Sequence, residues 1–145
     1  MFISVEKYSD IICDWLYEFG YRKCFYVAGG NIMHLLDSAS RRFDAVPVIH
    51  EVAGAIAAEY YNESQSEYKA FVLVTAGPGL TNAITGISGA YVESRELLVI
   101  GGQVKRADLS HGKVRQRGIQ EIDGVAGYVL KPLGLLIHNL CASCG

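Results

Sequence analysis

Few side chains in this sequence are placed to do chemistry, and Glu51 stands out among them. The stretch VIHEVAGAIAAEYY, residues 48–61, puts it between an apolar run ending at His50 and an alanine-rich helical pattern. An acid in a helix's first turn is stabilised by the helix dipole by a few tenths to about 1 kcal/mol, which would account for any carboxylate there. Glu51, however, is followed by Val52, Ala53, Ala55 and Ile56. A carboxyl group in apolar surroundings can hold or share a proton near neutrality. On the residues alone, both readings stand.

Three glycine turns accompany it: AGG at 28–30, TAGPGLTN at 75–82 and GGQ at 101–103. The second lacks the third glycine of a dinucleotide fingerprint and the Gly-Lys-Ser/Thr of a Walker loop. It can still present backbone N–H groups to a ligand, or simply let the backbone pack closely. No G-x-S-x-G elbow exists, and Cys13 and Cys24 read as small buried hydrophobes. His138, Cys141 and Cys144 offer three ligands where a closed zinc site takes four. No metal site is expected there.

The elements that must position these residues follow from hydrophobic period. Val5, Tyr8, Ile11, Ile12, Trp15, Leu16 and Phe19 recur at three- and four-residue steps, which predicts a helix with that face buried and Gly20 as its cap. CFYVA (24–28), AVPVI (45–49), AFVLVT (70–75) and ELLVIGG (96–102) read as strands, with Pro47 placing the second near an edge or a strand start. Asn31 is a candidate N-cap for a short helix carrying Ile32, Leu35 and Leu36. Helices are expected at 51–63 and 80–93, a short one at 119–126, and a last strand near YVLKP.

Strands that are apolar throughout are buried on both faces. Their alternation with helices predicts an α/β fold, a parallel sheet with helices on both faces in three flavodoxin-like layers. Ligands of such sheets bind at the carboxyl ends of the strands, where all four candidate segments fall. Ala83, Gly86, Gly89 and Ala90 make one helix rich in small residues. Glycine inside a helix costs about 1 kcal/mol against alanine, so close approach of another helix or of a partner subunit is expected.

The whole chain has the length of one domain and a globular composition: 145 residues, 50% hydrophobic and 19% charged, with a formal net charge of -2. There is no basic stripe for nucleic acid, no apolar run long enough for a membrane helix and no signal-like N-terminus. A cytoplasmic protein is the expectation.

GYRKCFYVAGG, HEVAGAIAAEYY, TAGPGLTNAITGISGAYVESRELLVIGGQV and RGIQEID, in this order and spacing, resemble the N-terminal pyrimidine-binding domain of thiamine-diphosphate-dependent enzymes, in the acetolactate-synthase-like branch. The resemblance covers roughly residues 1–132, and 133–145 read as a divergent, truncated tail. It implies that Glu51 hydrogen-bonds the cofactor's aminopyrimidine and so helps to activate its thiazolium ring towards a 2-oxo acid such as pyruvate.

Gln120 is implied as a second catalytic residue near the reaction centre, with Gly29 and Gly30 beside it. Pro78 and Asn82 match positions lining the pyrimidine pocket, and Gln103 is a further carry-over. The turn reads Val27-Ala28-Gly29-Gly30 where acetolactate synthases commonly have Tyr-Pro-Gly-Gly, which leaves room for other acceptors. In the family a second domain, with Gly-Asp-Gly and a downstream Asn, binds the diphosphate through Mg2+. A middle domain binds FAD in some full-length relatives. Neither segment is in this sequence. The expected partner is therefore a diphosphate-binding domain or a full-length relative, in a homo-oligomer. The alternative is a catalytically inactive remnant or a dimerising domain without enzyme activity.

Overall fold

In the computed structural model, residues 6–64 and 67–103 are described. The chain begins with α1, Tyr8–Glu18. Its period is the expected one but its phase is not. Ser9 and Cys13 are buried, and Ile12, Leu16 and Tyr17 pack against the core. Tyr8, Trp15 and Phe19, expected on the buried face, are 49%, 53% and 73% exposed. The reason is α2, Met33–Arg42: α1 lies against it as well as against the sheet, and the Ser9 hydroxyl accepts a 2.8 Å bond from Ser38 on that helix. The seam between the two helices runs through the smaller side chains and turns the larger aromatics to the flank. Gly20 follows in the left-handed region, with φ of 91°, as its place after the helix demands.

Among the described residues, four strands form one parallel sheet in the order β2-β1-β3-β4. They are β1 Tyr21–Tyr26, β2 Asp44–Pro47, β3 Lys69–Val74 and β4 Leu98–Gly101. Pro47 ends the outermost strand, β2, opposite Tyr26. The remaining helices are α2, Met33–Arg42, α3, Glu51–Ser64, and α4, Pro78–Val92. Each strand-to-helix connection among them returns the chain to the same end of the sheet, as parallel pairing requires.

Central strand β3 explains the layers. Ala70, Val72 and Val74 join a core with Ala55, Ala58, Leu80, Ala83 and Ile87 of α3 and α4. Phe71 and Leu73, on the opposite face, join Cys13, Cys24, Leu35 and Ala39 beneath α1 and α2. Alternate side chains of one strand thus feed two cores. Each such large apolar side chain is worth about 1.5–3 kcal/mol on burial.

A second expectation is corrected. Asn31 caps no helix: a 3₁₀ turn, Gly30–Ile32, precedes α2, and α2 starts without a side-chain cap bond. Its amide instead reaches the ends of β3 and β4, as shown below. The glycine-rich face of α4 meets the first of its two expected neighbours, another helix. A Cβ built on Gly86 would lie 2.4 Å from the Ala55 Cβ, so α3 of the same chain occupies that space. The expected helix at 119–126 and the strand near YVLKP lie outside the described residues.

Candidate functional site

The carboxyl ends of the strands carry the site. After β2 the chain turns at His50, whose Nδ1 accepts the Val52 N–H at 3.3 Å and closes the first turn of α3. That turn presents Glu51, which is only 8% exposed. Its Oε2 accepts a 3.1 Å hydrogen bond from Nδ2 of Asn82, in the second turn of α4. Its Oε1 lies 3.3 Å from where a Cβ on Gly79 would sit. Glu51 is thus gripped between two helices that share a core, and among the described residues no basic side chain is one of its hydrogen-bond partners.

The β3–α4 turn makes the next wall. Gly77 has φ of 62°, a conformation that side chains rarely adopt, and Pro78 sits at the head of α4, where a missing N–H costs nothing. Thr75, just beyond β3, fills the space beside Gly79: a Cβ there would meet Thr75 Cγ2 at 2.8 Å. The same threonine closes on the first glycine turn, because a Cβ on Gly29 would meet Thr75 Cβ at 2.5 Å. Gly29 is extended, with φ of -168°, so proximity and not backbone angle excludes a side chain there.

Asn31 links this cluster to β4. Its Nδ2 donates to the Gln103 carbonyl at 3.4 Å, and its Oδ1 accepts from the Thr75 hydroxyl at 3.5 Å. Gln103 is 3% exposed.

The structure therefore brings Gly29, Glu51 and Asn82 together around Thr75 and Gly79, and joins Gln103 to them through Asn31. Gly30 opens the 3₁₀ turn and Pro78 lies exposed at the helix head, both on the same edge. Gln120 lies outside the described residues, as do His138, Cys141 and Cys144. Sequence reasoning missed Thr75 and Asn31. A β-branched residue between an apolar strand and a glycine turn was the available signal for the first.

Elsewhere, a groove between α1 and α2 is lined by Asp10, Cys13, Asp14, Ser38, Arg41 and Arg42. Its charges are already paired, Arg41 with Asp10 at 2.8 Å and Arg42 with Asp14 at 3.1 Å. Burial, assisted by Asp10 and Asp14, pushes the Cys13 thiol up to about 12. Burial also pushes Cys24 up. Neither is a ready nucleophile, since the thiolate is the reactive form. Among the described residues, no group of three His, Cys, Asp or Glu side chains could hold a metal ion, and no helix is long and apolar enough to cross a membrane.

The site is thus a buried carboxylate with one oxygen held by an amide and the other beside a glycine turn that closes on Thr75. Residues 6–126 match the model of the thiamine pyrophosphate enzyme, N-terminal TPP binding domain, and the chain belongs to that family.

Among similar proteins, the acetolactate synthase large subunit of Lactococcus lactis subsp. lactis (strain IL1403) is 39% identical over 120 residues, which is 81% of this chain and 20% of that protein. The acetolactate synthase isozyme 3 large subunit of Escherichia coli (strain K12) is 37% identical over 98 residues, 66% of this chain and 17% of the relative. The chloroplastic acetolactate synthase of Arabidopsis thaliana is 30% identical over 119 residues, 81% of this chain and 18% of the relative. The chain spans about a fifth of the length of these curated relatives.

Proposed function

We propose that this chain forms the half-site that receives the aminopyrimidine of thiamine diphosphate in an acetolactate-synthase-like carboligase acting on a 2-oxo acid such as pyruvate. The observation that supports this most is the placing of Glu51: buried at the head of α3, held by Asn82 at 3.1 Å through one carboxylate oxygen, with the other beside Gly79. When bound, the cofactor supplies the electron sink for decarboxylation and carbon–carbon bond formation.

The chain's own residues have narrower tasks. Glu51 shares a proton with a ring nitrogen and so selects the ring's tautomer. Asn82 fixes which carboxylate oxygen is free to do so. Gly29 and Gly79 leave room for the Thr75 side chain, which sits between their two turns. Val74, Leu80 and their neighbours are packed so tightly beneath the turn that water is excluded from below. Gly30, Pro78, Gln103 and Gln120 complete the proposed lining, Gln120 on the strength of the family motif alone.

In this reading residues 1–132 are the pyrimidine domain. Mg2+ and the diphosphate are held by a second domain, on a longer polypeptide or a separate one, and the working assembly is an oligomer in the cytoplasm.

The test is complementation. Supplied with a diphosphate-binding domain, thiamine diphosphate, Mg2+ and pyruvate, the chain should support carboligation, and without that domain it should not. Glu51→Gln keeps the shape and removes the shared proton, and should lower the restored turnover by roughly a hundredfold or more with little change in stability. Near-normal turnover would make Glu51 a helix-start acid and nothing more.

A further inference from the structure

Four groups stand in line at the carboxyl edge of the sheet, and the second of them lies between the first glycine turn and the head of α4. Gly29, Thr75, Gly79 and Glu51 are consecutive neighbours. The Cβ position of Gly29 is 2.5 Å from Thr75 Cβ, that of Gly79 is 2.8 Å from Thr75 Cγ2, and that of Gly79 is 3.3 Å from Glu51 Oε1. Thr75 follows Val74, which is fully buried and paired through β3 with β4 on one side, while β1 flanks β3 on the other. Its backbone is therefore anchored in the sheet's centre, and its two branches are the part that reaches the loops.

We infer that Thr75 is the positioning residue of this pocket, a wedge whose β-branch sets how far the Gly29–Gly30 turn and the Pro78–Gly79 helix head stand from each other and from Glu51. The inference rests on the functional reading above for what the pocket holds, but not for the wedge itself.

Packing and not hydrogen bonding carries the effect. The Thr75–Asn31 contact is 3.5 Å and the Asn31–Gln103 contact 3.4 Å, both beyond the usual range for such bonds. Thr75 occupies the space that a side chain on either glycine would need, and a β-branched side chain has few rotamers through which to leave it. A threonine methyl that cannot swing away holds Gly79 in place, and Gly79 in turn bounds the space of the Glu51 carboxylate. Removing the branch lets the two turns close on each other. Removing only the hydroxyl, at constant shape, leaves the spacing intact.

This predicts an ordering that a hydrogen-bonding role would not produce. In the purified 145-residue chain, thiamine diphosphate affinity measured by titration calorimetry should be within about twofold of wild type for Thr75→Val. It should fall about tenfold for Thr75→Ala, a loss of roughly 1.4 kcal/mol, and Thr75→Ser should lie between. The same variants, free of ligand, are followed by hydrogen–deuterium exchange. Thr75→Ala should raise exchange about fivefold in both the 29–31 and the 77–80 segments, with α1 and α2 unchanged, and Thr75→Val should not.

A Thr75→Val variant as weak or as exchange-prone as Thr75→Ala overturns the wedge. So does a Thr75→Ala variant indistinguishable from wild type in exchange. If the wild-type chain does not bind thiamine diphosphate, the calorimetric arm bears on the functional reading instead, and the exchange ordering alone decides the wedge.

Discussion

Asn82 on α4 donates a hydrogen bond to the carboxylate of Glu51 on α3, at 3.1 Å, and ties the acid of one helix to the body of another. The donor fixes one oxygen and leaves the other beside Gly79. A buried carboxylate needs such a donor, because an acceptor left without one costs about 1–3 kcal/mol. Asn82 itself is exposed, so water can replace part of the bond. Asn82→Ala is expected to lower stability by about 1 kcal/mol and to weaken thiamine diphosphate binding by more than its stability loss implies. Asn82→Asp sets a second acid against Glu51 in place of its donor, and two adjacent carboxylates resist ionising together. That variant should be less stable than Asn82→Ala at pH 7 and should recover part of the difference at pH 5, as urea midpoints at the two values will show. An Asn82→Asp variant with the same midpoint as wild type at both would mean the bond contributes nothing.

The close approach of α3 and α4 gives a second expectation. Gly86 has the Ala55 Cβ 2.4 Å from its own Cβ position and the Ile56 backbone nitrogen at 3.3 Å. Gly86→Ala gains helix propensity, about 1 kcal/mol, yet overpacks a seam with no room. Overpacking typically costs about 1–3 kcal/mol, so the variant should be less stable overall. Adding Ala55→Gly removes the obstructing methyl. The double variant should then be more stable than the sum of the two single changes predicts, a coupling of about 0.5–3 kcal/mol in urea denaturation. Strict additivity would show that the helices move apart without penalty.

At the other end of α3, roughly 12 Å from Glu51 along the helix axis, Glu59 is 4% exposed and accepts from Arg95 at 3.0 Å. The same guanidinium lies 4.8 Å from the centre of the Tyr60 ring. This pair locks the segment after α4 to α3 at a distance from the site. Arg95→Met should lower the urea midpoint by stranding a buried acid, and adding Glu59→Leu should restore most of it, since an apolar pair can replace a buried ion pair. Thiamine diphosphate affinity should stay within about twofold throughout, given that separation. A loss of affinity in step with the midpoint would extend the site's support to this end of the helix.

Much of this fold is legible in the sequence because its strands are short apolar runs and its helices are strongly periodic. The runs around 24–28, 45–49, 70–75 and 96–102 each overlap an observed strand, although β1 begins three residues earlier at Tyr21, and α3 and α4 lie within one or two residues of their expected bounds. The phase of α1 was not legible. Tyr8, Trp15 and Phe19 share a period with Ile12 and Leu16, and only the seam with α2 decides which side is inside. Asn31 looked like a cap because its type and place before a helix fit one, whereas its amide faces loops that are distant in sequence. The site's acid and glycines were readable from the family motifs. Thr75 was not, because a threonine after Val74 satisfies strand preference by itself, and its contacts with Gly29 and Gly79 exist only once the three loops meet.

The buried thiols and one phenol set the chain's response to alkali. Burial, with Asp10 and Asp14, raises the Cys13 thiol from 9.0 to about 12. Burial together with Glu96 raises the Tyr21 phenol from 10.0 to about 12. Cys24, on β1, is raised as well, chiefly by burial. In the unfolded chain these groups lose their protons at ordinary values, while the folded chain retains them. The folded form then binds more protons, so unfolding free energy falls as pH rises. The contribution is complete below pH 9 and is lost progressively from there towards pH 12, as the Cys13 values require. Urea midpoints should therefore be insensitive to these groups between pH 7 and 8.5 and should fall steeply above 9. Cys13→Ala opens a small gap in the core and lowers the whole curve, by about 1 kcal/mol, so the slope above pH 9 is the quantity to compare. That slope should be shallower in Cys13→Ala than in wild type, and shallower still in the double variant with Cys24→Ala. An unchanged slope in the double variant would move the alkaline sensitivity away from the thiols to Tyr21, where Tyr21→Phe would then have to remove it.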